Sequence, residues 1–423
     1  MIPAYSHQLA VRLPFFYGYV MIPVAMLVQI TTSPGQTFAI SAFTPYLRES
    51  LQLSDSQLSL AYMLGTLLAA FPLALVGPLS DRFGLRSVTL VAISMLSVAC
   101  YFASTVANFH SLLGAFFLLR FLGQGSLSLL SGNAISMWFR SRIGRVSAVM
   151  SIGTALAFAW IPEWLNDCIT VIGWRATYES LALIVAVTML PIVFFLFCNR
   201  PEDVGQTVDG TRFTAPEQDL ESSEAAATSL TLHQAIRCRA FAILAACNTV
   251  WAMAGTGIVF YLFTLCEDLG FDADVPADLF KTLGLMMLLT QLVGGVLADF
   301  LRLNRLLMLG TVMLSAGLAA AVWGHTELAL HAFAGLFGAG QGMLLAVGNV
   351  VWVRYFGRAH LGSIRGTVWC CTVAGSGCGP LLMGIARDVW GGFGPAIYLF
   401  LGLMAGLSLV ALLATPPVTD SQS

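Results

Sequence analysis

Gly77-Pro78-Leu79-Ser80-Asp81-Arg82-Phe83-Gly84-Leu85-Arg86 is a charged segment that joins two apolar runs, at about 58–79 and 87–107. A membrane-spanning helix needs roughly 20 predominantly apolar residues, so the segment reads as a tight turn between two spans. Gly84 permits the turn. Gly77 allows close helix contact. Asp81 can face a helix N-terminus or an arginine of a neighbouring helix. A degraded copy lies further along: Gly295-Val296-Leu297-Ala298-Asp299, followed by Arg302 and Arg305.

The rest of the chain fits a lipid setting. Of its 423 residues 57% are hydrophobic and only 10% charged, with mean hydropathy +0.82. A soluble protein carries about 25% charged residues. So large a deficit leaves a surface apolar nearly everywhere, whose solvent must be lipid. The net charge of −2 does not point to nucleic acid. The nine cysteines sit mostly in apolar helical runs without zinc-ligand spacing, and read as free buried thiols. The first apolar run lacks a small-residue cleavage site and reads as a retained first helix.

Twelve spans are expected, at about 17–47, 58–79, 87–107, 110–138, 144–165, 176–198, 240–266, 282–300, 305–323, 328–353, 362–385 and 393–415. With the N-terminus in the cytoplasm, fifteen basic residues fall on the cytoplasmic face and four on the other, leaving Arg120 inside the membrane. The positive-inside rule then puts both termini in the cytoplasm, of a protein expected in the cell (inner or plasma) membrane. Domain boundaries follow: a tail at 1–16, a six-helix bundle at 17–198, a polar linker at 199–239, a second bundle at 240–415 and a tail at 416–423. The linker's acidic, Ser- and Ala-rich stretch around Glu221 to Ser229 is not expected to pack a core, while Leu230–Ile236 suits a short amphipathic helix.

The halves resemble each other. Gly123-Gln124-Gly125 in the fourth helix is echoed by Gly340-Gln341-Gly342 in the tenth, and Gly132-Asn133 by Gly348-Asn349. Phe139 stands 15 residues after Gln124, as Phe356 stands 15 after Gln341. The decapeptide, its copy and the twelve-helix layout resemble the major facilitator superfamily over nearly the whole chain. That resemblance implies an all-α membrane fold of two pseudo-symmetric six-helix bundles. It also implies alternating access by rocking, and a gate-and-latch role for Gly77, Asp81, Arg82, Gly84, Arg86 and Asp299.

Arg120 carries the functional reading. It lies about ten residues into its helix, or about 15 Å deep at 1.5 Å per residue. A cation there costs roughly 2.5–3.5 kcal/mol even on a lenient scale. Arg120, Gln124, Ser128 and Ser131 share a helical face by spacing, which is expected to line a polar cavity. The counterpart of Arg120 is Phe337, and no acid stands at comparable depth. An unpaired cation suits an anionic group on a substrate. The alternative, that Arg120 bonds backbone carbonyls or Glu163 and only positions helices, stays open.

Other candidates are Gln29 and Gln36 flanking Pro34-Gly35, which interrupts the first helix and frees carbonyls. Asn248 and Trp251 join them from the seventh helix, Gln341 with Asn349 from the tenth and Trp369 from the eleventh. Each polar residue alone is as readily interhelical glue as a substrate contact. Their joint occurrence in helices one, four, seven and ten matches the helices that line the cavity in the superfamily.

Tyr17-Gly18-Tyr19, Ser33-Pro34-Gly35-Gln36-Thr37, Gly173-Trp174-Arg175 and Arg200-Pro201-Glu202-Asp203-Val204-Gly205 resemble the monocarboxylate-transporter and oxalate–formate-antiporter branch. The chain departs from it in the eighth helix, with Gln291 and Met287 at that branch's Arg and Asp positions. It departs again in the eleventh, which has no lysine.

The expected function is secondary or facilitative transport of a small organic anion. The alternatives are a carrier or exporter of a neutral or amphipathic compound, and a non-transporting sensor on the same fold. No P-loop, HExxH pair or Ser/His/Asp arrangement points to an enzyme. A small-molecule substrate and the bilayer are the expected partners, with neither nucleic acid nor cofactor nor metal, and a monomer is expected.

Overall fold

The computed structural model describes residues 15–139, 142–210, 230–272, 274–323, 326–357 and 360–417. All regular structure in them is helical. Contacts divide the chain into two compact units, Met1–Phe213 and Thr214–Ser423.

In the first unit α1 comes in two pieces, α1a (Gly18–Thr31) and α1b (Thr37–Leu51), separated by a 3-10 turn at Ser33–Gly35. Then follow α2 (Asp55–Phe83), α3 (Leu85–Ser104), α4 (Phe109–Trp138), α5 (Ile143–Ile172) and α6 (Trp174–Leu196). The second unit holds a short helix, Leu232–Arg237, then α7a (Arg239–Phe260) and α7b (Leu262–Asp268). It continues with α8 (Val275–Phe300), α9 (Leu303–Trp323), α10 (Glu327–Phe356), α11 (Leu361–Trp390) and α12 (Gly394–Val410).

Eleven of these helices are long and apolar enough to span a membrane among the described residues. The protein is therefore a multi-pass integral membrane protein. The first expected span, 17–47, is divided at the expected Pro34-Gly35 break into pieces of 14 and 15 residues. Pro34 removes a donor, Gln36 is extended (φ −86°, ψ 146°), and the ladder stops there.

Local chemistry sets the ends. Ser54 and Gln57 make reciprocal backbone bonds at the start of α2 (3.2 and 3.0 Å). Asn108 and Ser111 do the same for α4. The α2–α3 junction is tighter than a charged loop: helix runs through Asp81 and Arg82 to Phe83, and Gly84 alone turns the chain at φ 84°. At α5–α6, Gly173 (φ 82°) makes the same turn. Arg175 then stacks 4.2 Å over Trp174 and donates to the carbonyls of Ser104 and Val106 at the end of α3 (2.6 and 3.0 Å).

Within the expected linker, Pro201–Val204 forms a 3-10 turn with Pro201 and Val204 buried, and Gly205 ends it at φ 72°. Thr231 caps the short helix that follows. The expected acidic stretch and most of both tails lie outside the described residues.

Candidate functional site

The break in α1 and the middle of α4 meet. A Cβ on Gly35 would fall on the Leu119 carbonyl oxygen, and one on Gly123 would stand 2.9 Å from the Thr32 carbonyl. Only glycine allows two backbones so near. Over Arg120–Leu127 the α4 ladder widens to a π-helix, a form frequent at functional sites. Ser126 Oγ bonds the carbonyl of Phe121, five residues back (2.8 Å).

Arg120 sits at the start of that segment with 4% of its surface exposed. Its Nε donates to Thr66 Oγ1 (3.1 Å). Its Nη1 donates to the Gly35 carbonyl (3.2 Å) and Thr37 Oγ1 (3.5 Å). The guanidinium carbon lies 5.0 Å over the ring of Tyr62, whose hydroxyl is 2.7 Å from Thr37 Oγ1. Two sequence features thus explain each other: the proline break frees the Gly35 carbonyl, and the buried cation takes it up. Among the described residues, neither Glu163 nor any other acid is a partner of Arg120. Nη2 donates to no described residue.

The expected polar stripe on α4 is corrected. Ser131 Oγ donates to the Ala25 carbonyl (2.9 Å), and Ser128 Oγ accepts from Gln29 Nε2 (3.4 Å). Much of the stripe is spent on α1 rather than left open, as a hydroxyl in a dry interface requires. Gln36 Nε2 reaches back to Thr32 Oγ1 (3.0 Å). Gln124 is half-buried, with no side-chain bond to a described residue.

In the second unit the counterpart of Arg120 is uncharged. Phe337 is buried and packs on Phe333, with ring centres 5.5 Å apart. A Cβ on Gly255 would stand 3.6 Å from Phe337 and 3.9 Å from Trp251 Nε1. That indole nitrogen is buried without a partner. Asn248 spends its amide on the Leu244 carbonyl one turn back (2.8 Å). The amide of Gln341 bonds no described residue. Trp369 is 62% exposed. The α10 backbone approaches α8 at Gly338 and Gly342, and α11 approaches α7a at Gly375 and Gly379. The side chains of Asp299 and Asn349 lie outside the described residues.

The α2–α3 segment divides in two. Asp81 is exposed and pairs with no described residue, and Arg82 lies over its neighbour Phe83 (5.3 Å). Arg86 is buried, lies 5.1 Å over the Phe194 ring and donates to the Phe194 carbonyl, while its backbone N–H donates to Asn199 Oδ1 (2.8 Å). A Cβ on Gly77 would touch nothing within 4 Å, so the expected close contact there is absent. Sequence reasoning missed Tyr62 and Thr66 as partners of Arg120. Their signal was two hydroxyls one helical turn apart in an apolar run, a pattern also common in plain packing.

A duplicated helical chain of this length, with interrupted helices and a buried cation at mid-span, is the architecture of a membrane carrier. The model of the Major Facilitator Superfamily matches residues 25–289 and 267–423, and the chain belongs to that superfamily. It is a transporter of that class. It is 25% identical to the MFS-type transporter YhjX of Escherichia coli (strain K12) over 292 residues, 68% of each chain. In fold it is similar to a bacterial homologue of the human lysosomal transporter Spinster (TM-score 0.72, 12% identity, 94% of this chain and 97% of that one). It is also similar in fold to the nucleoside transporter NupG (TM-score 0.68, 12% identity, 95% and 99%).

Proposed function

We propose that this transporter carries a small organic anion, of monocarboxylate or dicarboxylate type, by alternating access in the cell membrane with both termini cytoplasmic. One observation carries the reading. Arg120 is a buried guanidinium with hydroxyls, a carbonyl and a ring around it, no acid among them, and its Nη2 donates to no described residue. Four neutral groups orient the cation and leave its charge for a ligand, and a guanidinium fork suits a carboxylate. The resemblance to the monocarboxylate and oxalate–formate branch agrees with this. Gln124, Gln29 and Gln36 would supply neutral hydrogen bonds nearby. The exposed Asp81 and Arg82, with Gly77, Gly84, Arg86 and Asp299, would form the gate.

The test is counterflow in proteoliposomes holding the full chain, with a panel of labelled carboxylates and neutral solutes. A carboxylate should trans-stimulate its own exchange, and Arg120→Gln should slow it about 100-fold, the ~2.7 kcal/mol of a lost charge-assisted contact. Parental rates in that variant would overturn the anion reading. Binding without accumulation would indicate a sensor.

A second reading, a neutral or amphipathic substrate, draws on the second unit. There Phe337 replaces the cation and Trp251 offers a buried, unpartnered N–H. It also agrees with the likeness in fold to a transporter named for nucleosides. Under this reading only neutral solutes trans-stimulate.

A further inference from the structure

The last helix of each unit, α6 to Leu196 and α12 to Val410 with the 3-10 turn Ala411–Leu413 that closes it, and the one or two residues just past it, present carbonyls with no partner within the helix. In the first unit these ends are taken up by side chains of three other helices or their leading residues. Arg86 at the start of α3 donates to the Phe194 carbonyl. Tyr17, just before α1a, donates its hydroxyl to the Leu196 carbonyl (2.8 Å). Trp138, the last residue of α4, donates Nε1 to the Cys198 carbonyl (3.3 Å).

The second unit repeats the arrangement from different residues. Asn304 at the start of α9 donates to the Leu412 carbonyl (2.7 Å). Arg239, the first residue of α7a, donates Nε to the Leu413 carbonyl (3.2 Å). Tyr355 near the end of α10 donates its hydroxyl to the Ala414 carbonyl (3.1 Å).

Donors come from the first, third and fourth helix of each half, and acceptors follow in the same order. The register is fixed independently by the repeat, because Trp138 precedes Phe139 as Tyr355 precedes Phe356. Each set has one guanidinium, which suits the negative end of a helix dipole. It has changed place, from the third helix in the first half to the first helix in the second. Position and net charge are kept while residue identity is not, so alignment by residue type does not find the relation.

We propose that these are one device repeated, a three-donor collar that fixes the last helix of each half to the other three. Trp138 and Tyr355 are its positioning residues for α4 and α10, the helices that carry Arg120 and Gln341. The collar sets the axial register of those helices from their ends. It touches no substrate, and it stands whichever solute is carried.

Tyr355→Phe and Tyr17→Phe each delete one hydroxyl and keep the ring. Amide hydrogen exchange on the full chain in nanodiscs reads the result. Tyr355→Phe should speed exchange about five- to tenfold in the closing turn of α12, the loss of one buried hydrogen bond, and leave the closing turn of α6 unchanged. Tyr17→Phe should do the reverse. Tyr355→Trp, which installs the donor of the first half, should restore protection where Phe does not. Unchanged exchange in both hydroxyl deletions, equal loosening of both helix ends, or a Trp variant no better than Phe would each overturn the proposal.

Discussion

The fourth and tenth helices share Gly-Gln-Gly, a Gly-Asn pair and an aromatic pair at their ends, yet they differ at mid-span. In α4 the ladder widens over Arg120–Leu127, the backbone lies against the break in α1, and a cation fills the space. In α10 the helix runs unbroken from Glu327 to Phe356, Gly338, Gly340 and Gly342 lie against α8 and α9, and Phe337 stands where the cation would be. Both helices donate, from the same end position, to a carbonyl just past the last helix of their half. Duplication has kept the fixed ends and let the middles diverge, as expected if the middles read an asymmetric solute.

The largest expected effect tests whether the shared glycines do the same work. A Cβ on Gly342 would fall on the Met287 carbonyl, which cannot move without its helix, whereas one on Gly125 would meet a Leu73 methyl at 3.1 Å, which can rotate away. Gly342→Ala should cost about 3 kcal/mol or more and Gly125→Ala under about 1 kcal/mol. Thermal unfolding in detergent compares them directly. Equal costs would mean that α4 and α10 are packed alike after all.

A smaller effect sharpens the polar side of the contrast. Thr66→Val keeps shape and removes the acceptor of Arg120 Nε. A buried donor left unpaired costs about 1–3 kcal/mol, and the guanidinium should shift. Exchange of the carried solute should fall about tenfold, mostly in KM, because the protein loses orientation of the charge rather than the charge itself. A parental KM would show that Gly35, Thr37 and Tyr62 suffice to hold the guanidinium.

The sequence made the fold legible because membrane solvent imposes one strong rule, a long apolar run for each crossing. The two halves were legible because glycines and Gln124/Gln341 repeat in register. Where the rule is weakest, in α1, hydropathy gives one long run, and Pro34-Gly35 marked the break that divides it. Arg120 stood out since a lone cation in an apolar run is costly. Its partners did not, because threonine and tyrosine in such runs serve packing equally well. The π segment was invisible, since no residue pattern in Arg120–Leu127 marks it, and the Arg120–Ser131 stripe follows from spacing only in an unbroken α-helix. The collars were hidden for a related reason, since their acceptors are backbone atoms and any donor will serve.

The smallest expected effect asks what holds the π segment open. Ser126 is buried and bonds five residues back, in register with the widened turn. The hydroxyl is either the cause of the widening or an occupant of it. Arg120 is tied to Gly35 and Gly123 is pressed on Thr32, so the segment is fixed from outside and the hydroxyl follows. Ser126→Ala should then cost only about 0.5–1 kcal/mol and leave exchange of the amides at 197–199 unchanged. If the hydroxyl were the cause, its loss would return the segment to α-helix and rotate everything after it by about 100°, one residue of a 3.6-residue turn. Trp138 would swing off the Cys198 carbonyl, and those same amides would lose protection. The outcome separates a helix shaped by its own side chain from one shaped by its neighbour, which is the respect in which α4 and α10 differ.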